Sequence, residues 1–515
     1  MSSLKKLLRF LLSRTFLIGV LALIQIGVFA ATFLWLNTLG TVAYTLLTLV
    51  SVLVVVIVFE RDNLNPAYKI MWVLLVVAMP VSGAVFYLWW GNRRISPRKA
   101  KQFYEIEKNA AAAMIQQNAL MERLHEQDST LVRSAVYLQR NGSAPLYSNT
   151  SSEYFPFGQD FFERFLEQIK AAQHSIFMEY FIIEEGEMWD KTLEILMQKA
   201  AEGVDVRLLY DSFGCLFTLP GDYDEKLRRC GIKCYPFNPI HFSWHISDYK
   251  MLNHRDHRKI AIIDGETGFT GGINFADEYI NKKQRFGVWK DTGFLLKGPG
   301  VFPLTVTFLK MWDFVTTNNS PYSDYAPRGV YADVDFVQPY CDSPLDDENV
   351  AESAYFNVIQ RAEKYVDIVT PYLIIDNEMV TALCLAAKSG VEVRILTPGM
   401  PDKWYVYYVT QSYYPQLLRA GVHIYEYTPG FVHAKMYASD DKIAIVGSAN
   451  MDYRSLYLHF ENCCTFYGGH MVRDVKADID ATISQSREVT LADTAKVPLY
   501  KGLCQVLFRF FAPMM

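Results

Sequence analysis

The chain has 515 residues and a formal net charge of −5, and 51% of its residues are hydrophobic. This length allows two or three domains, and the acidic balance excludes a general affinity for polyanions, so we expect no nucleic acid partner. The hydrophobic surplus lies before residue 91 and at the extreme C-terminus, which predicts a protein that is only partly embedded in a membrane.

Three uncharged stretches, at 15–36, 39–59 and 70–90, open the chain. The first two match the roughly 20 residues that a helix needs to cross a bilayer core, so we predict two membrane spans. A cleavable signal peptide is the alternative for the first stretch, but its length and the apolar run that follows favour a span. Pro80 and Gly83 interrupt the third stretch, which predicts either a kinked span or a re-entrant segment.

Basic residues flank this membrane region, which we assign to residues 1–95. They are Lys5, Lys6, Arg9 and Arg14 before the first stretch, and Arg93, Arg94, Arg98, Lys99 and Lys101 after the third. The positive-inside rule places both flanks in the cytoplasm, which two crossings plus a re-entrant or interfacial third segment satisfy. We therefore predict a multi-pass membrane protein whose remaining residues lie on the cytoplasmic face.

Residues 96–150 are predicted to form a helical linker, because they are rich in Ala, Glu, Lys, Gln and Leu. The linker ends in the turn-rich passage NGSAPLYSNTSS at 141–152. Beyond it, short apolar runs alternate with helical stretches, a pattern that is typical of an α/β fold.

The α/β region contains an internal duplication. SIFMEYFII at 175–183 parallels DIVTPYLII at 367–375, and GVDVRLL and GVEVRIL follow at corresponding places. Duplication of one unit is the simple explanation. The sequence therefore predicts two pseudo-symmetric α/β domains, at 151–327 and 328–515.

One short pattern occurs in both halves with the same spacing. Histidine, any residue, lysine, four residues and aspartate are followed by GGIN in the first copy and GSAN in the second. Two residues apart on a strand, the histidine and lysine project to one face. A single copy is more often structural than functional, but the doubled spacing favours one site built from two halves. The residues are His257, Lys259, Asp264 and Asn274, and His433, Lys435, Asp440 and Asn450.

These residue types suit the displacement of a phosphodiester, which needs cations at its oxygens, an attacking group and a proton donor for the leaving alkoxide. One imidazole can attack phosphorus to form a phosphohistidine, and the other can protonate the leaving oxygen. Lys259 and Lys435 would neutralise the phosphate oxygens, with Asn274 and Asn450 as neutral donors.

The two aspartates of the motif, Asp264 and Asp440, belong to the site for a different reason. We expect each to tie its strand to neighbouring backbone rather than to touch substrate. No metal site is predicted, because the eight cysteines have no CxxC spacing. The absence of a paired framework also favours reduced thiols.

The doubled HxKxxxxD motif with its following GGxN or GSxN resembles the phospholipase D superfamily, over about residues 155–510. More narrowly, three stretches resemble the bacterial cardiolipin synthases of that superfamily. They are NLNPAYKIMWVLLVVAMPVSGAVFYLWWG at 63–91, KGPGVFPLTVTFLKMWDF at 297–314 and SANMDYRSLYLHFEN at 448–462. The resemblance implies transfer of a phosphatidyl group between two phosphatidylglycerol molecules, giving cardiolipin and glycerol without a cofactor, at a bacterial cell membrane.

The resemblance also implies residue roles. His257 would be the nucleophile and His433 the acid and then base. In the family, an acidic residue downstream of each motif orients the histidine ring, as a carboxylate fixes an imidazole tautomer. Glu461 occupies that position after His433, whereas Arg285 occupies it after His257, so that Asp291 in WKDTG is the candidate for the first half.

Other functions stay open at this point. A membrane-bound phospholipase D hydrolase, or another phosphatidyltransferase, would use the same motifs with a different acceptor. A nuclease is disfavoured by the acidic balance, and a silent scaffold by the two complete motifs. The C-terminal VPLYKGLCQVLFRFFAPMM is either an interfacial segment or a last helix that packs on the core.

Overall fold

A computed structural model of the protein describes residues 27, 38–60, 64–91, 95–239, 251, 253–329, 331 and 335–515. The chain divides into two compact units, the first drawn mainly from residues up to Ile95 and the second beginning at Ser96.

The first unit is helical where it is described. Its helices are α1 (Thr38–Phe59), α2 (Pro66–Ala78) and α3 (Pro80–Phe86), followed by one π-helical turn (Tyr87–Gly91). The Asn65 side chain caps α2 by accepting a hydrogen bond from the Ala67 amide at 2.9 Å. Pro80, which has no amide hydrogen, begins a new helix directly after α2. Trp72 packs against Phe86 and Tyr87, at ring-centroid distances of 5.2 and 5.3 Å.

Two of the three predicted membrane stretches coincide with described helices. The stretch 39–59 coincides with α1, and the stretch 70–90 is divided between α2, α3 and the π-helical turn. The stretch 15–36 falls outside the described residues, apart from residue 27. Among the residues that the structure describes, no helix combines the length and the apolarity needed to cross a membrane.

Three helices form most of the stretch predicted to be a helical linker. They are α4 (Pro97–Ala113), α5 (Asn118–Gln127) and α6 (Ser129–Asn141). They pack onto the α/β part of the second unit. Lys310 Nζ lies 2.9 Å from Glu107 on α4, and Gln338 Nε2 donates to the Ala135 carbonyl on α6 at 3.0 Å. The stretch is thus a helical layer of the second unit.

The first α/β half is a seven-stranded sheet with helices on its faces. Its sheet order is β1-β9-β7-β6-β2-β3-β4. The strands are β1 (Ser151–Phe155), β2 (Ser175–Tyr180), β3 (Asp205–Asp211), β4 (Lys233–Phe237), β6 (Lys259–Ile263), β7 (Thr267–Gly271) and β9 (Gly293–Lys297). The helices are α7 (Gly158–Ala171), α8 (Glu187–Ala201), α9 (Tyr223–Arg229) and α10 (Phe302–Thr316).

The second half repeats that order strand for strand as β10-β19-β17-β16-β11-β13-β14, with β20 added at the edge. Its strands are β10 (Phe336–Asp342), β11 (Tyr365–Val369), β13 (Glu392–Pro398), β14 (His423–Tyr427), β16 (Met436–Ser439), β17 (Ile443–Gly447), β19 (His459–Tyr467) and β20 (Ser486–Val489). A separate pair joins β12 (Leu373–Ile374) to β18 (Met451–Asp452). The helices are α11 (Val350–Arg361), α12 (Asn377–Lys388), α13 (Trp404–Arg419), α14 (Tyr453–Tyr457), α15 (Gly469–Ser484), α16 (Leu491–Ala495) and α17 (Leu499–Phe510).

The central strands of both sheets are fully buried, as their continuous Ile, Val and Ala runs require. The equal strand order is the structural counterpart of the sequence duplication. Two short parallel pairings then join the halves. β5 (Arg255–Asp256) pairs with β19, and β8 (Val288–Lys290) pairs with β15 (Gly430–Val432).

Candidate active site

The pairing of β5 with β19 positions His257, the first motif histidine. Its register sets Arg255 opposite His459 and Asp256 opposite Phe460. The backbone amide of His257 then donates to the Phe460 carbonyl at 2.9 Å. His257 therefore lies beside Glu461, the next residue of β19 and a residue of the other half.

The pairing of β8 with β15 positions His433, the second motif histidine, in the same way. The register sets Val432 opposite Lys290, and the His433 amide donates to the Lys290 carbonyl at 2.7 Å. His433 therefore lies beside Asp291, which follows β8 in the first half.

Each imidazole is consequently held by a carboxylate from the opposite half. Nδ1 of His257 lies 2.9 and 3.0 Å from the two carboxylate oxygens of Glu461. Nδ1 of His433 lies 2.6 Å from Asp291 Oδ2. The assignment of Asp291 to His257, and of Glu461 to His433, is therefore wrong. The resemblance to the family, with an acidic residue downstream of each motif, implied those pairs, whereas the short strands that cross between the halves set the observed ones.

This geometry fixes the tautomer of both rings. A carboxylate can only accept, so Nδ1 carries the proton and Nε2 keeps its lone pair. Both histidines and both carboxylates are buried. The site thus presents two oriented imidazoles, each with an unprotonated Nε2.

The two motif lysines lie within the same buried cluster. Lys435 Nζ is 3.1 Å from Nε2 of His433, and Lys259 Nζ donates to the backbone carbonyl of His257. Burial, opposed by the nearby carboxylates, lowers the pKa of Lys259 to about 7 and that of Lys435 to about 8. An arriving phosphate would supply the negative charge that favours the protonated lysines.

The histidines also respond to burial and to these cations. Desolvation and the neighbouring Lys259 and Lys435 lower the pKa of His257 well below its usual value. Desolvation and Lys435 lower the pKa of His433 to about 4, although Asp291 opposes the shift. Both imidazoles are therefore neutral at neutral pH, which is the state that a nucleophile requires.

The motif aspartates act on the backbone. Asp264 accepts hydrogen bonds from the amides of Gln173, His174 and Ser175 at 2.6 to 2.9 Å. Asp440 repeats this arrangement with the amides of residues 363–365 at 2.8 to 3.0 Å. Both aspartates therefore secure the loop before a central strand, in agreement with the role expected from the sequence.

The two asparagines differ in their partners. Asn274 Oδ1 accepts from the Ile182 amide at 3.1 Å, and its Nδ2 donates to the Tyr279 hydroxyl at 2.6 Å. Asn450 Oδ1 is buried and has no hydrogen-bond partner among the described residues. Both polar groups of Asn274 are thus engaged inside the protein.

Sequence reasoning missed an asymmetry next to the carboxylates. Ser448 Oγ donates to Glu461 at 2.5 Å. The matching residue of the first half is Gly272, where a Cβ would overlap the Asp291 carboxylate. The sequence difference between GGIN in the first half and GSAN in the second indicates this asymmetry. At position 272 only glycine leaves room for the Asp291 side chain.

His459 is a second residue beside the site that sequence reasoning did not single out. Its Nδ1 lies 3.6 Å from Glu461 Oε1, and Arg454 Nε donates to its Nε2 at 3.2 Å. Together, His257, His459 and Glu461 bring ligand atoms close enough to surround a metal ion. The positive charges of Lys259 and Arg454 nearby disfavour a divalent cation there.

Comparison with known proteins is consistent with this geometry. A family model described as "Cardiolipin synthase, PLD-like domain" matches residues 165–291 and again 355–483, once in each half. A second model, described as "Phospholipase_D-nuclease N-terminal", matches residues 45–92. Both motif histidines fall inside the two domain matches.

Relatives cover nearly the whole chain. An uncharacterized protein of Streptococcus mutans is 42% identical over 89% of this chain and 99% of its own. A cardiolipin synthase of Alkalihalophilus pseudofirmus is 33% identical over 93% of this chain and 95% of its own. The crystal structure of a phosphatidylserine synthase of Haemophilus influenzae shares the fold, with a TM-score of 0.57 at 15% identity, over 74% of this chain and 97% of that one.

Proposed function

The chain belongs to the cardiolipin synthase family with phospholipase D-like domains, and we propose that it transfers a phosphatidyl group between two phosphatidylglycerol molecules. The products are cardiolipin and glycerol. The observation that supports this most is the pair of buried imidazoles, each oriented by a carboxylate of the opposite half and each accompanied by a lysine. A single phosphodiester held between them would meet a nucleophile on one side and a proton donor on the other.

In the first step, Nε2 of His257 attacks the phosphorus of the first phosphatidylglycerol. A nitrogen–phosphorus bond forms, and the bond from phosphorus to the glycerol headgroup oxygen breaks. His433, protonated once the anionic phosphate is bound, gives its proton to that oxygen, and glycerol leaves. Lys259 and Lys435 neutralise the phosphate oxygens while charge builds up on them.

In the second step, the headgroup of another phosphatidylglycerol replaces glycerol. His433 removes the proton from its terminal hydroxyl, and the oxygen attacks the phosphohistidine. The nitrogen–phosphorus bond breaks, cardiolipin forms and His257 is restored. Glu461 keeps the proton of His257 on Nδ1 throughout, so that Nε2 is free before and after each turnover.

The choice of an alcohol over water as acceptor is supported by the apolar surroundings of the site. Phe181 lies edge-on to His257 at 4.9 Å, and Tyr279 and Trp289 lie 5.6 and 5.5 Å from His433 between ring centroids. Such walls suit lipid and reduce access of water. A phospholipase D hydrolase is the second candidate, since the same phosphohistidine can be resolved by water.

We place the protein in a bacterial cell membrane through its N-terminal region, with both α/β halves on the cytoplasmic face. The uncharged N-terminal stretches and their basic flanks support this placement. The family match at residues 45–92 also supports a specialised N-terminal region.

The test is mass spectrometry of lipids after incubating purified protein with phosphatidylglycerol vesicles in EDTA. We expect cardiolipin and glycerol from the native chain and neither from His257→Ala or His433→Ala. His423→Ala is the matched control, because His423 pairs with Glu488 at the surface and should leave the rate unchanged. Phosphatidic acid in place of cardiolipin would identify water as the acceptor and overturn the synthase assignment.

A further inference from the structure

The last helix of the chain, α17 (Leu499–Phe510), presents an apolar face that no described part of the protein covers. Leu499, Leu503, Val506 and Leu507 lie at positions i, i+4, i+7 and i+8 and therefore share one side of the helix. Their side chains are between 56% and 81% exposed. A group of exposed apolar residues at this spacing is typical of a surface that contacts a membrane or another protein.

The opposite side of α17 is attached to the protein. The Phe508 ring contacts Trp404 at the start of α13, at a centroid distance of 5.5 Å. The Arg509 guanidinium lies over the Tyr413 ring at 4.3 Å and donates to the Ser412 carbonyl at 3.3 Å. The helix is thus held in a fixed orientation, and its apolar face points outward because its other face is occupied.

The chemistry of this surface matches a lipid interface. Residues 498–515 contain no acidic side chain, and their two charges, Lys501 and Arg509, are both positive. Lys501 lies over the Tyr408 ring on the side that packs against α13, whereas Arg509 is exposed at the edge of the apolar face, where headgroups would lie. Trp404 is itself 58% exposed beside them, and exposed tryptophan is typical of the boundary between water and hydrocarbon.

We propose that α17, together with Trp404, binds the surface of a bilayer that contains anionic lipids. The helix lies in the interface, with Leu499, Leu503, Val506 and Leu507 inserted among the acyl chains. Arg509, the exposed cation at the edge of that face, contacts the negative headgroups. This second attachment is separate from the N-terminal region and does not depend on the reaction proposed for the site.

The test uses the full chain, with its four partly exposed cysteines, Cys230, Cys341, Cys384 and Cys504, replaced by serine. A cysteine is introduced by Val506→Cys and labelled with the environment-sensitive fluorophore NBD. The matched control carries Leu385→Cys, because Leu385 on α12 is as exposed as Leu503 but is the only exposed large hydrophobic residue of that helix. Both proteins are reconstituted into vesicles of phosphatidylserine and phosphatidylcholine, which are not the proposed substrates.

We expect the label at position 506 to shift to the blue and to be quenched by doxyl-labelled lipids about threefold more strongly than the label at position 385. A blue shift without lipid quenching would mean that another protein surface, such as a second copy, covers the helix. No shift would mean that the face stays in water. Either result overturns the proposal. Circular dichroism of both labelled chains, compared with the native chain, checks that they are folded.

Discussion

Nδ1 of His257 donates a hydrogen bond to Glu461 at 2.9 Å, although the two residues belong to opposite halves of the duplication. His433 and Asp291 repeat this relationship at 2.6 Å. Neither half therefore contains a complete catalytic group, since each supplies the imidazole of one pair and the carboxylate of the other. This explains why both copies of the motif are intact.

Loss of either carboxylate charge should impair catalysis without loss of the fold. We expect Glu461→Gln and Asp291→Asn each to lower kcat by about 10²-fold or more, because the amide neither fixes the tautomer nor stabilises the protonated ring. Asp335→Asn is the control, since Asp335 binds the partly exposed His470 at 3.0 Å in a similar pair outside the site. Rates of cardiolipin formation measure the effect, and equal rates for all three variants would contradict it.

The asymmetry between Gly272 and Ser448 predicts unequal effects of alanine. At Gly272 the added methyl would overlap the Asp291 carboxylate and push it from His433, so we expect a loss of about 10-fold to 100-fold in kcat. Ser448→Ala removes a hydrogen bond to Glu461 but forces no atom against that carboxylate, which keeps its contact with His257, so we expect a smaller loss in kcat.

The control for this comparison is Gly221→Ala, because a Cβ at Gly221 would meet no atom within 4 Å. Kinetic assays of the three variants, with thermal unfolding to check the fold, measure the effect. A harmless Gly272→Ala would show that Asp291 does not need its observed position.

Anion affinity should depend on pH through the two lysines. Their pKa values of about 7 and about 8 mean that both lose charge as the solution becomes mildly alkaline. An anion prefers the protonated lysines, so binding takes up protons and tightens as the pH falls. We expect the Kd for inorganic tungstate, a tetrahedral anion, to decrease by about 10-fold from about pH 9 to about pH 6.

Isothermal titration calorimetry of the native chain measures this Kd, and Lys259→Met and Lys435→Met should each flatten the dependence. A Kd that is independent of pH, or one that decreases as the pH rises, would contradict the proposed charge state of the lysines.

Burial of Lys259 should also lower the free energy of unfolding. Because the pKa of Lys259 is lower in the folded than in the unfolded chain, the native protein releases a proton above about pH 7 that the unfolded chain still holds. The free energy of unfolding then rises with pH over this range, and below it the full cost of the buried charge is present.

Lys259→Met should therefore be more stable than the native chain at about pH 6, by ~1–3 kcal/mol, and inactive. The advantage should shrink as the pH increases above 7. Thermal unfolding of both proteins across this pH range is the measurement. A variant that is less stable than the native chain at low pH would disagree with the expected sign.

The motif residues of the site could be predicted from the sequence, because the same spacing of histidine, lysine, aspartate and asparagine begins at His257 and again at His433. The backbone contacts of Asp264 and Asp440 were expected as well. The partners of Asp291 and Glu461 could not be predicted. Strands of two or three residues, such as β5 and β8, carry no periodic signal, and only tertiary pairing sets their register.

The fold was predictable to a similar degree. Alternation of apolar runs and helical stretches indicated an α/β fold, and the internal duplication indicated two halves, whose strand order is the same. The packing of α4 and α6 onto these halves could not be predicted from the sequence. The composition of an Ala-rich and Glu-rich helix does not show which residues it will contact. The Lys310 to Glu107 ion pair, between residues far apart in sequence, is such a contact.

The most direct test of the account is to trap the covalent intermediate. His433→Ala is mixed with phosphatidyl-p-nitrophenol, whose leaving group needs no acid, and the protein is quenched in alkali and digested. Without a base for the second step, we expect tandem mass spectrometry to find a phosphatidyl group on His257. His257→Ala should carry none under the same conditions. Modification of another residue, or release of nitrophenol by His257→Ala at the same rate, would contradict the assignment of His257 as the nucleophile.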